Sequence, residues 1–221
     1  MGKTILTPKQ SQFLELASVE KQIVKHFYLT GGTALAAFYY QHRLSEDIDL
    51  FCEKREVDPN VAEALVRKLT SKLGVTEVKR SQFLGLVSFL LIYPDGEQLK
   101  IDFNYYPFPR IEKGTLFKQL SIDSIYDIAV NKVHTMFMHP RSRDYVDLYS
   151  IFQKENYTLD KLILDAKAKF DWDIDRTTLA SQFMRVKDFT ELPKMLVPFN
   201  RHEMVEFYIN LAKSLKKDIF R

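Results

Sequence analysis

The sequence predicts an α+β fold with an α/β front half and a mostly helical back half. Before residue 107, short apolar segments alternate with polar residues in the two-residue period of strands, and helical segments lie between them. Pro107 and Pro109 then interrupt the chain. Beyond them, apolar residues recur at the three- and four-residue spacing of helices. We therefore expect an α/β core over residues 1–120 and a helical domain over residues 121–221.

Composition excludes several classes of protein. The 221 residues include 32 Lys or Arg and 29 Asp or Glu, so the formal net charge is only +3 and does not indicate nucleic-acid binding. An apolar fraction of 46% is enough for a packed core, which excludes a disordered chain. The longest apolar run, residues 84–93, is half of the roughly 20 residues that a membrane-spanning helix needs. The single cysteine, Cys52, cannot form an internal disulfide, which favours a cytoplasmic protein. The short apolar runs give no reason to expect a membrane partner.

Turn and capping residues divide the front half into elements. Asp58 is the expected N-cap of a helix whose first turn contains Pro59. The dipeptide Asp95-Gly96 predicts a hairpin turn between two strands. The predicted helices cover residues 8–25, 33–41 and 59–73, and the predicted strands cover residues 27–29, 48–51, 83–93 and 98–106.

The back half is predicted to form helices over residues 123–138, 142–153, 159–170, 177–187 and 202–217. Lys132 falls on the apolar stripe of the first of these helices, so its side chain is expected to turn inward. Such a lysine needs an anion, or its stem lies along apolar surface and carries the ammonium to water. Asp144 and Asp147 share a face of the next helix, where either can hold Lys132. For Asp144, a favourable position near the helix N-terminus is the simpler interpretation.

Three carboxylates are the most informative feature of the front half. Asp47 and Asp49 alternate with the apolar Ile48 and Leu50, so the two acids project from one face of a strand. Carboxylates this close repel each other unless a cation lies between them, and Mg²⁺ is a cation that prefers oxygen ligands. Asp102 is a lone acid on the polar side of a later, strongly apolar strand. If the two strands are neighbours, the three acids form a cage for one or two divalent cations.

An anion site is predicted just before these acids. Gly31 and Gly32 lie at a strand-to-helix turn, where the backbone can approach a phosphate and the first N–H groups of a helix can donate to it. The hydroxyls of Thr30 and Thr33 are further donors. Arg43 lies in a loop and is expected to be solvated, as arginines in loops usually are, with a phosphate contact as the alternative. A nucleoside triphosphate bound with magnesium requires both the anion site and the cation site.

These residues together resemble a known family. Gly31-Gly32, the helix of about ten residues after it and then residues 45–50 (SEDIDL) resemble the signature of the DNA polymerase β-like nucleotidyltransferases. The fuller string, residues 29–36 (LTGGTALA) and 42–51 (HRLSEDIDLF), is similar to the AbiEii/AbiGii toxin branch in particular. A later motif of that branch is matched by residues 127–132 (DIAVNK) and 143–149 (RDYVDLY).

The resemblance implies a nucleotidyltransferase-type mixed sheet flanked by helices, with a helical domain that completes the nucleotide site. It implies that Asp47, Asp49 and Asp102 are the catalytic residues and the metal ligands. Two Mg²⁺ ions are expected, with Mn²⁺ as an alternative, and a nucleoside triphosphate is the expected substrate. The nucleotide-binding residues implied are Thr30, Gly31, Gly32, Thr33, Ser45, Lys132 and Asp147.

The same resemblance implies transfer of a nucleoside monophosphate to an acceptor hydroxyl, on an RNA such as tRNA or on a protein. Members of the branch act as toxins of bacterial toxin–antitoxin or phage-defence systems, so a separate antitoxin protein is an expected partner. Two other functions remain open from the residues themselves. One is transfer to a small aminoglycoside-like acceptor, and the other is a non-catalytic module that binds a nucleotide or a cation.

Overall fold

The computed structural model describes residues 5–219, with side chains up to residue 215. The chain divides into two compact units, one ending at Ser124 and one beginning at Ile125. No helix in the described range is both long enough and apolar enough to cross a membrane.

The first unit is built on a mixed sheet, as the resemblance implies. Its strands are β1 (Tyr28–Thr30), β2 (Asp47–Cys52), β3 (Glu77–Phe83), β4 (Leu86–Ile92), β5 (Gln98–Tyr105), β6 (Thr115–Phe117) and β7 (Leu120–Ile122). In the described part of the chain they form one seven-stranded sheet in the order β3-β4-β5-β2-β1-β7-β6. The pairs β2–β5 and β1–β7 are parallel, and the other neighbours are antiparallel.

Helices follow the predicted order in both units. The first unit contains α1 (Pro8–Ala17), α2 (Lys21–His26), α3 (Gly31–Leu35) and α4 (Pro59–Thr70), and a π-helical turn over Ala36–Tyr40 continues α3. The second unit contains α5 (Ile125–Met138), α6 (Ser142–Lys154), α7 (Leu159–Phe170), α8 (Arg176–Met184) and α9 (Arg201–Ile219), and a 3₁₀ turn over Arg185–Asp188 follows α8. The Asp58 side chain accepts hydrogen bonds from the amides of Asn60 and Val61, which confirms it as the N-cap of α4.

Several element predictions were wrong in the first unit. The single helix predicted over residues 8–25 is two helices, because the Ser18 amide closes α1 on the Leu14 carbonyl and Glu20 is extended. The strand predicted over residues 83–93 begins only at Leu86, because Leu84 and Gly85 both have positive φ and form a turn. The helix predicted from residue 33 already begins at Gly31.

Three strands were missed altogether. β3 is an edge strand whose residues are almost all exposed, so its sequence carries polar side chains on both faces and no apolar alternation. β6 and β7 are three residues each, too short to show a two-residue period.

Alternation along β2 and β5 divides the sheet into two faces. In β2, Ile48, Leu50 and Cys52 are buried on one face, and in β5 the buried Leu99, Ile101 and Phe103 share that face because the register pairs the two sets. The intervening residues of both strands, among them the three predicted acids, therefore project from the opposite face.

Buried polar contacts organise the second unit. The Tyr208 hydroxyl donates to the Tyr145 carbonyl at 2.7 Å and connects α9 to α6. The Lys169 Nζ of α7 lies 2.7 Å from the Asp127 Oδ1 of α5, and both side chains are almost completely excluded from solvent. An ion pair in this environment is stabilising only while both charges are present, because each charge compensates the desolvation of the other.

We expect Lys169→Ala to lower the free energy of unfolding by about 3–5 kcal/mol, because it removes the buried ammonium that pairs with the Asp127 carboxylate. Chemical denaturation of the purified protein measures this change. Lys167→Ala is the matched control, since Lys167 lies on the same helix and also forms a 2.7 Å ion pair, with Asp173, but both partners are exposed. The control should change the free energy by less than about 1 kcal/mol. Equal losses in the two variants would contradict the prediction.

Candidate active site

The β2–β5 register brings two of the predicted acids face to face. Parallel pairing sets Asp49 directly opposite Asp102, and Asp47 opposite Lys100. Paired residues of neighbouring strands project from the same face, so all four charged side chains lie together on the face opposite the core. Asp47 and Asp49 are half-buried, whereas Asp102 is only 7% exposed.

The two oxygens of Asp102 have different surroundings. Oδ2 accepts a hydrogen bond from the Lys100 ammonium at 2.5 Å. Oδ1 is buried and has no hydrogen-bond partner among the described residues. A buried carboxylate oxygen without a partner is costly, so a donor or a cation is expected to reach it when the site is in use.

The glycine turn approaches the same carboxylates. Gly31 has φ of +72°, and a Cβ at this position would lie 2.7 Å from Asp49 Oδ2. A Cβ on Gly32 would lie 2.3 Å from Arg43 Nη2. A side chain at either position would collide with its neighbour, so both positions require glycine. The backbone at Gly31 lies directly beside Asp49, so that a phosphate bound to a metal at Asp49 would lie close to the glycine turn.

Hydroxyl groups connect the strands around this turn. Thr30 is buried and its hydroxyl donates to Asp123 Oδ2 at 2.6 Å. The Thr33 hydroxyl lies 2.8 Å from Ser45 Oγ and also donates to the Asp47 carbonyl. In this arrangement the Thr30 hydroxyl ties the turn to Asp123, just after β7, and the Thr33 hydroxyl ties it to the start of β2. The role of both hydroxyls as phosphate donors stays a prediction. The backbone N–H groups of the glycine turn are then the main anion donors of the predicted site.

Arg43 was assigned wrongly from the sequence. It is 1% exposed, not solvated, and its Nη1 donates to the Leu44 carbonyl at 2.8 Å. Its guanidinium lies directly under Gly32 and brings a buried positive charge to the glycine turn. No periodic pattern marks it, because Gly32 lies eleven residues earlier and is brought to Arg43 only by the fold. The second glycine of the Gly31-Gly32 pair is the one signal of this contact in the sequence.

Lys132 is held within the second unit by two carboxylates. Its Nζ lies 2.6 Å from Asp144 Oδ1 and 2.8 Å from Asp147 Oδ2, and all three side chains are buried. The inward orientation predicted for Lys132 is confirmed. Asp144 also accepts a hydrogen bond from the Arg141 amide at the start of α6, as its position near the helix N-terminus predicts. Burial acts to raise the pKa of Asp144, but the Lys132 ammonium outweighs it and holds that pKa below its ordinary value.

Comparison with known proteins identifies the family. The sequence profile described as "Nucleotidyl transferase AbiEii toxin, Type IV TA system" matches residues 15–208. The chain belongs to this family. The resemblance recognised from the glycine turn and the Asp-x-Asp strand is thereby confirmed, and so is the general reaction, because the chain is a nucleotidyltransferase of a toxin–antitoxin family.

Solved structures share the fold of this AbiEii-family chain. JHP933 from Helicobacter pylori is 20% identical, with a TM-score of 0.59 over 94% of this chain and 90% of the other. A candidate nucleotidyltransferase from H. pylori is 19% identical, with a TM-score of 0.60 over 96% of this chain and 97% of the other. No curated protein matches the sequence significantly. Identities this low establish a shared fold, so the details of the chemistry depend on this chain's own residues.

The residues present fit a hard divalent cation. Among the described side chains, no group of three or more His, Cys, Asp or Glu residues is arranged to hold a metal ion. Mg²⁺, however, is commonly bound by one or two carboxylates together with substrate phosphates. Asp47 and Asp49 provide that pair on one strand, beside a glycine turn, and Asp102, whose buried Oδ1 has no hydrogen-bond partner among the described residues, lies on the neighbouring strand.

We expect Gly31→Ala to reduce nucleotidyl transfer about a hundredfold, because the new Cβ displaces the Asp49 carboxylate and misplaced catalytic groups cost this much. Transfer of labelled nucleotide measures the effect. Gly74→Ala is the matched control, since Gly74 has a similar φ of +65° but a Cβ there meets no described atom within 4 Å. Both variants should lose about 1–2 kcal/mol of stability from left-handed strain. An equal loss of transfer in the control would contradict the assignment.

The Asp144–Lys132 pair predicts a pH-dependent stability. The folded-state pKa of Asp144 lies below the ordinary value of 3.8. The contribution of the ion pair to the free energy of unfolding is therefore complete above that value, and it is lost as the pH falls through the lower, folded-state pKa. At neutral pH we expect the free energy of unfolding of Asp144→Asn to be lower than that of the parent protein. Between about pH 5 and pH 3 it should fall less than that of the parent protein. Urea denaturation at each pH measures both slopes, and parallel slopes would contradict the prediction.

Proposed function

We propose that this chain is a Mg²⁺-dependent nucleotidyltransferase that moves a nucleoside monophosphate from a nucleoside triphosphate to an acceptor hydroxyl, on an RNA such as tRNA or on a protein. The observation that carries this proposal is the contact between the Gly31 turn and Asp49, which lies opposite Asp102. Membership of a type IV toxin–antitoxin family supports a role as the toxin, with a separate antitoxin protein as partner.

Each part of the site has a task in this reaction. The backbone N–H groups of Gly31 and Gly32 bind the β- and γ-phosphates, and the buried Arg43 charge beneath them favours the anion. Asp47 and Asp49 hold Mg²⁺, which when bound neutralises charge on the phosphates and on the departing pyrophosphate. Asp102 is the third carboxylate and lies where it can accept the proton of the acceptor hydroxyl.

The remaining predicted residues belong to the same proposal. Thr33 and Ser45 keep the glycine turn in place against the start of β2, and Thr30 ties it to Asp123 after β7. Lys132 and Asp147 are proposed as nucleotide-binding residues, and their ion pair holds the lysine in one buried conformation. A lysine fixed in this way loses less side-chain entropy when it binds a phosphate than a solvated one does.

We expect purified protein with Mg²⁺ and each α-labelled nucleoside triphosphate to transfer label to a component of total cellular RNA or protein. Asp47→Asn should reduce this transfer at least about a hundredfold, because it removes a charged metal ligand at the reacting phosphates. Asp58→Asn is the matched control. It makes the same chemical change in the same unit, and Asn caps a helix as well as Asp, so transfer should be unchanged.

The fate of the label separates the acceptors. Label in RNA identifies the nucleotide and makes tRNA the next substrate to resolve, whereas label in protein identifies a protein-modifying enzyme. Label found only in small molecules would replace the proposed acceptor by an aminoglycoside-like compound. If a folded protein showed no transfer and no nucleotide binding, the proposal would be contradicted, and a non-catalytic module would remain.

A further inference from the structure

Lys100 places a fixed positive charge inside the carboxylate cluster. It lies opposite Asp47 in the β2–β5 register and two residues before Asp102 on the same face of β5. Its Nζ is 2.5 Å from Asp102 Oδ2, although its own side chain is 41% exposed. The cluster therefore contains three acids and one cation that belongs to the chain itself.

The facing carboxylates point to different partners. Asp49 Oδ2 lies beside the Gly31 backbone, on the β1 side of β2, whereas Asp102 Oδ2 is bound by Lys100 on β5. Among the described side chains, no group of three acids is arranged around a common metal position. A second metal ion would have to take Asp102 from the ammonium group that already neutralises it.

The third observation is the Asp102 Oδ1 atom. It is buried without a hydrogen-bond partner in the described part of the chain, on a residue that is 7% exposed. Lys100 binds Oδ2, so Oδ1 is the oxygen of this carboxylate that is left without a hydrogen bond in the described part of the chain. A buried acceptor of this kind suits a proton that arrives with the substrate.

We propose that Lys100 takes the place of one of the two divalent cations that the sequence predicts. The site then binds a single Mg²⁺ through Asp47 and Asp49, and Asp102 is a proton acceptor positioned by Lys100, not a metal ligand. This inference rests on the proposed function and specifies how many metal ions it uses.

The resulting transfer step is balanced without a further reactant. The acceptor O–H bond breaks and its proton goes to Asp102 Oδ1, while the oxygen lone pair forms the bond to the α-phosphorus. The bond from the α-phosphorus to the bridging oxygen breaks, and its electron pair leaves with pyrophosphate. Lys100 is a positioning residue in this step, since it touches Asp102 and not the reacting atoms.

The number of bound Mn²⁺ ions tests the proposal without relying on activity. Electron paramagnetic resonance counts the ions held by the full chain with an α,β-methylene nucleoside triphosphate, and the analogue alone is the blank. We expect one ion per chain in the parent protein and two in Lys100→Met, because removal of the ammonium frees Asp102 to bind a second ion. Lys100→Arg retains the positive charge and should bind one.

Lys79→Met is the matched control. Lys79 lies in register with Lys100 across β4, on the same face of the sheet, but it is exposed and pairs only loosely with Glu77 at 3.7 Å. The control removes the same charge by the same substitution and should still bind one ion. Circular dichroism tests whether each variant is folded. If Lys100→Met does not fold, the ion counts of the parent protein and of Lys100→Arg still decide the proposal.

Asp102→Asn separates a proton acceptor from a metal ligand. We expect this variant to bind Mn²⁺ with unchanged stoichiometry and affinity, while transfer falls about 10²- to 10⁴-fold through loss of the general base. The proposal would be overturned by two bound ions in the parent protein, in Lys100→Arg or in Lys79→Met, or by one bound ion in Lys100→Met. It would also be overturned if Asp102→Asn lowered the Mn²⁺ affinity more than about tenfold. No bound ion and no transfer in the parent protein would instead refute the proposed function on which it rests.

Discussion

Parallel pairing of β2 with β5 sets Asp49 opposite Asp102 and Asp47 opposite Lys100, and the charged face of the candidate site depends on this register. A shift of one residue would turn the acids of one strand into the core and bring its apolar residues to the site face. The buried Ile48, Leu50, Ile101 and Phe103 oppose such a shift, because each would be moved out of the core. The hydrophobic face of the sheet thus determines the position of the charges on the other face.

Basic side chains of both units have defined contacts, and two of them, Arg43 and Lys132, are buried. Arg43 lies under the glycine turn, Lys100 binds Asp102, and Lys132 lies between two carboxylates of α6. A charge removed from water is tolerated only with compensating partners, so these groups adopt few conformations. Such preorganisation is what a phosphoryl-transfer site needs, because its catalysis consists mainly of positioning and electrostatic stabilisation.

Sequence reasoning succeeded where the signal was local or periodic. The alternation in β2 and β5, the Asp58 cap, the Asp95-Gly96 turn and the inward face of Lys132 all follow from spacing within one element. It failed where an element has no buried face of its own, as in β3, or is too short to show a period, as in β6 and β7. The burial of Arg43 was also missed, because it depends on contact with Gly32, which lies on a different element, α3.

The sequence by itself determined the α+β class, the order of glycine turn and Asp-x-Asp strand, and through them the nucleotidyltransferase family. These properties are readable because each is written in residues close together along the chain. Only the tertiary structure decided which acids face each other, that Asp102 is bound by Lys100, and that Lys132 is held by both Asp144 and Asp147. The physical reason is that strand register and side-chain partners depend on how separate elements pack, which no local pattern encodes.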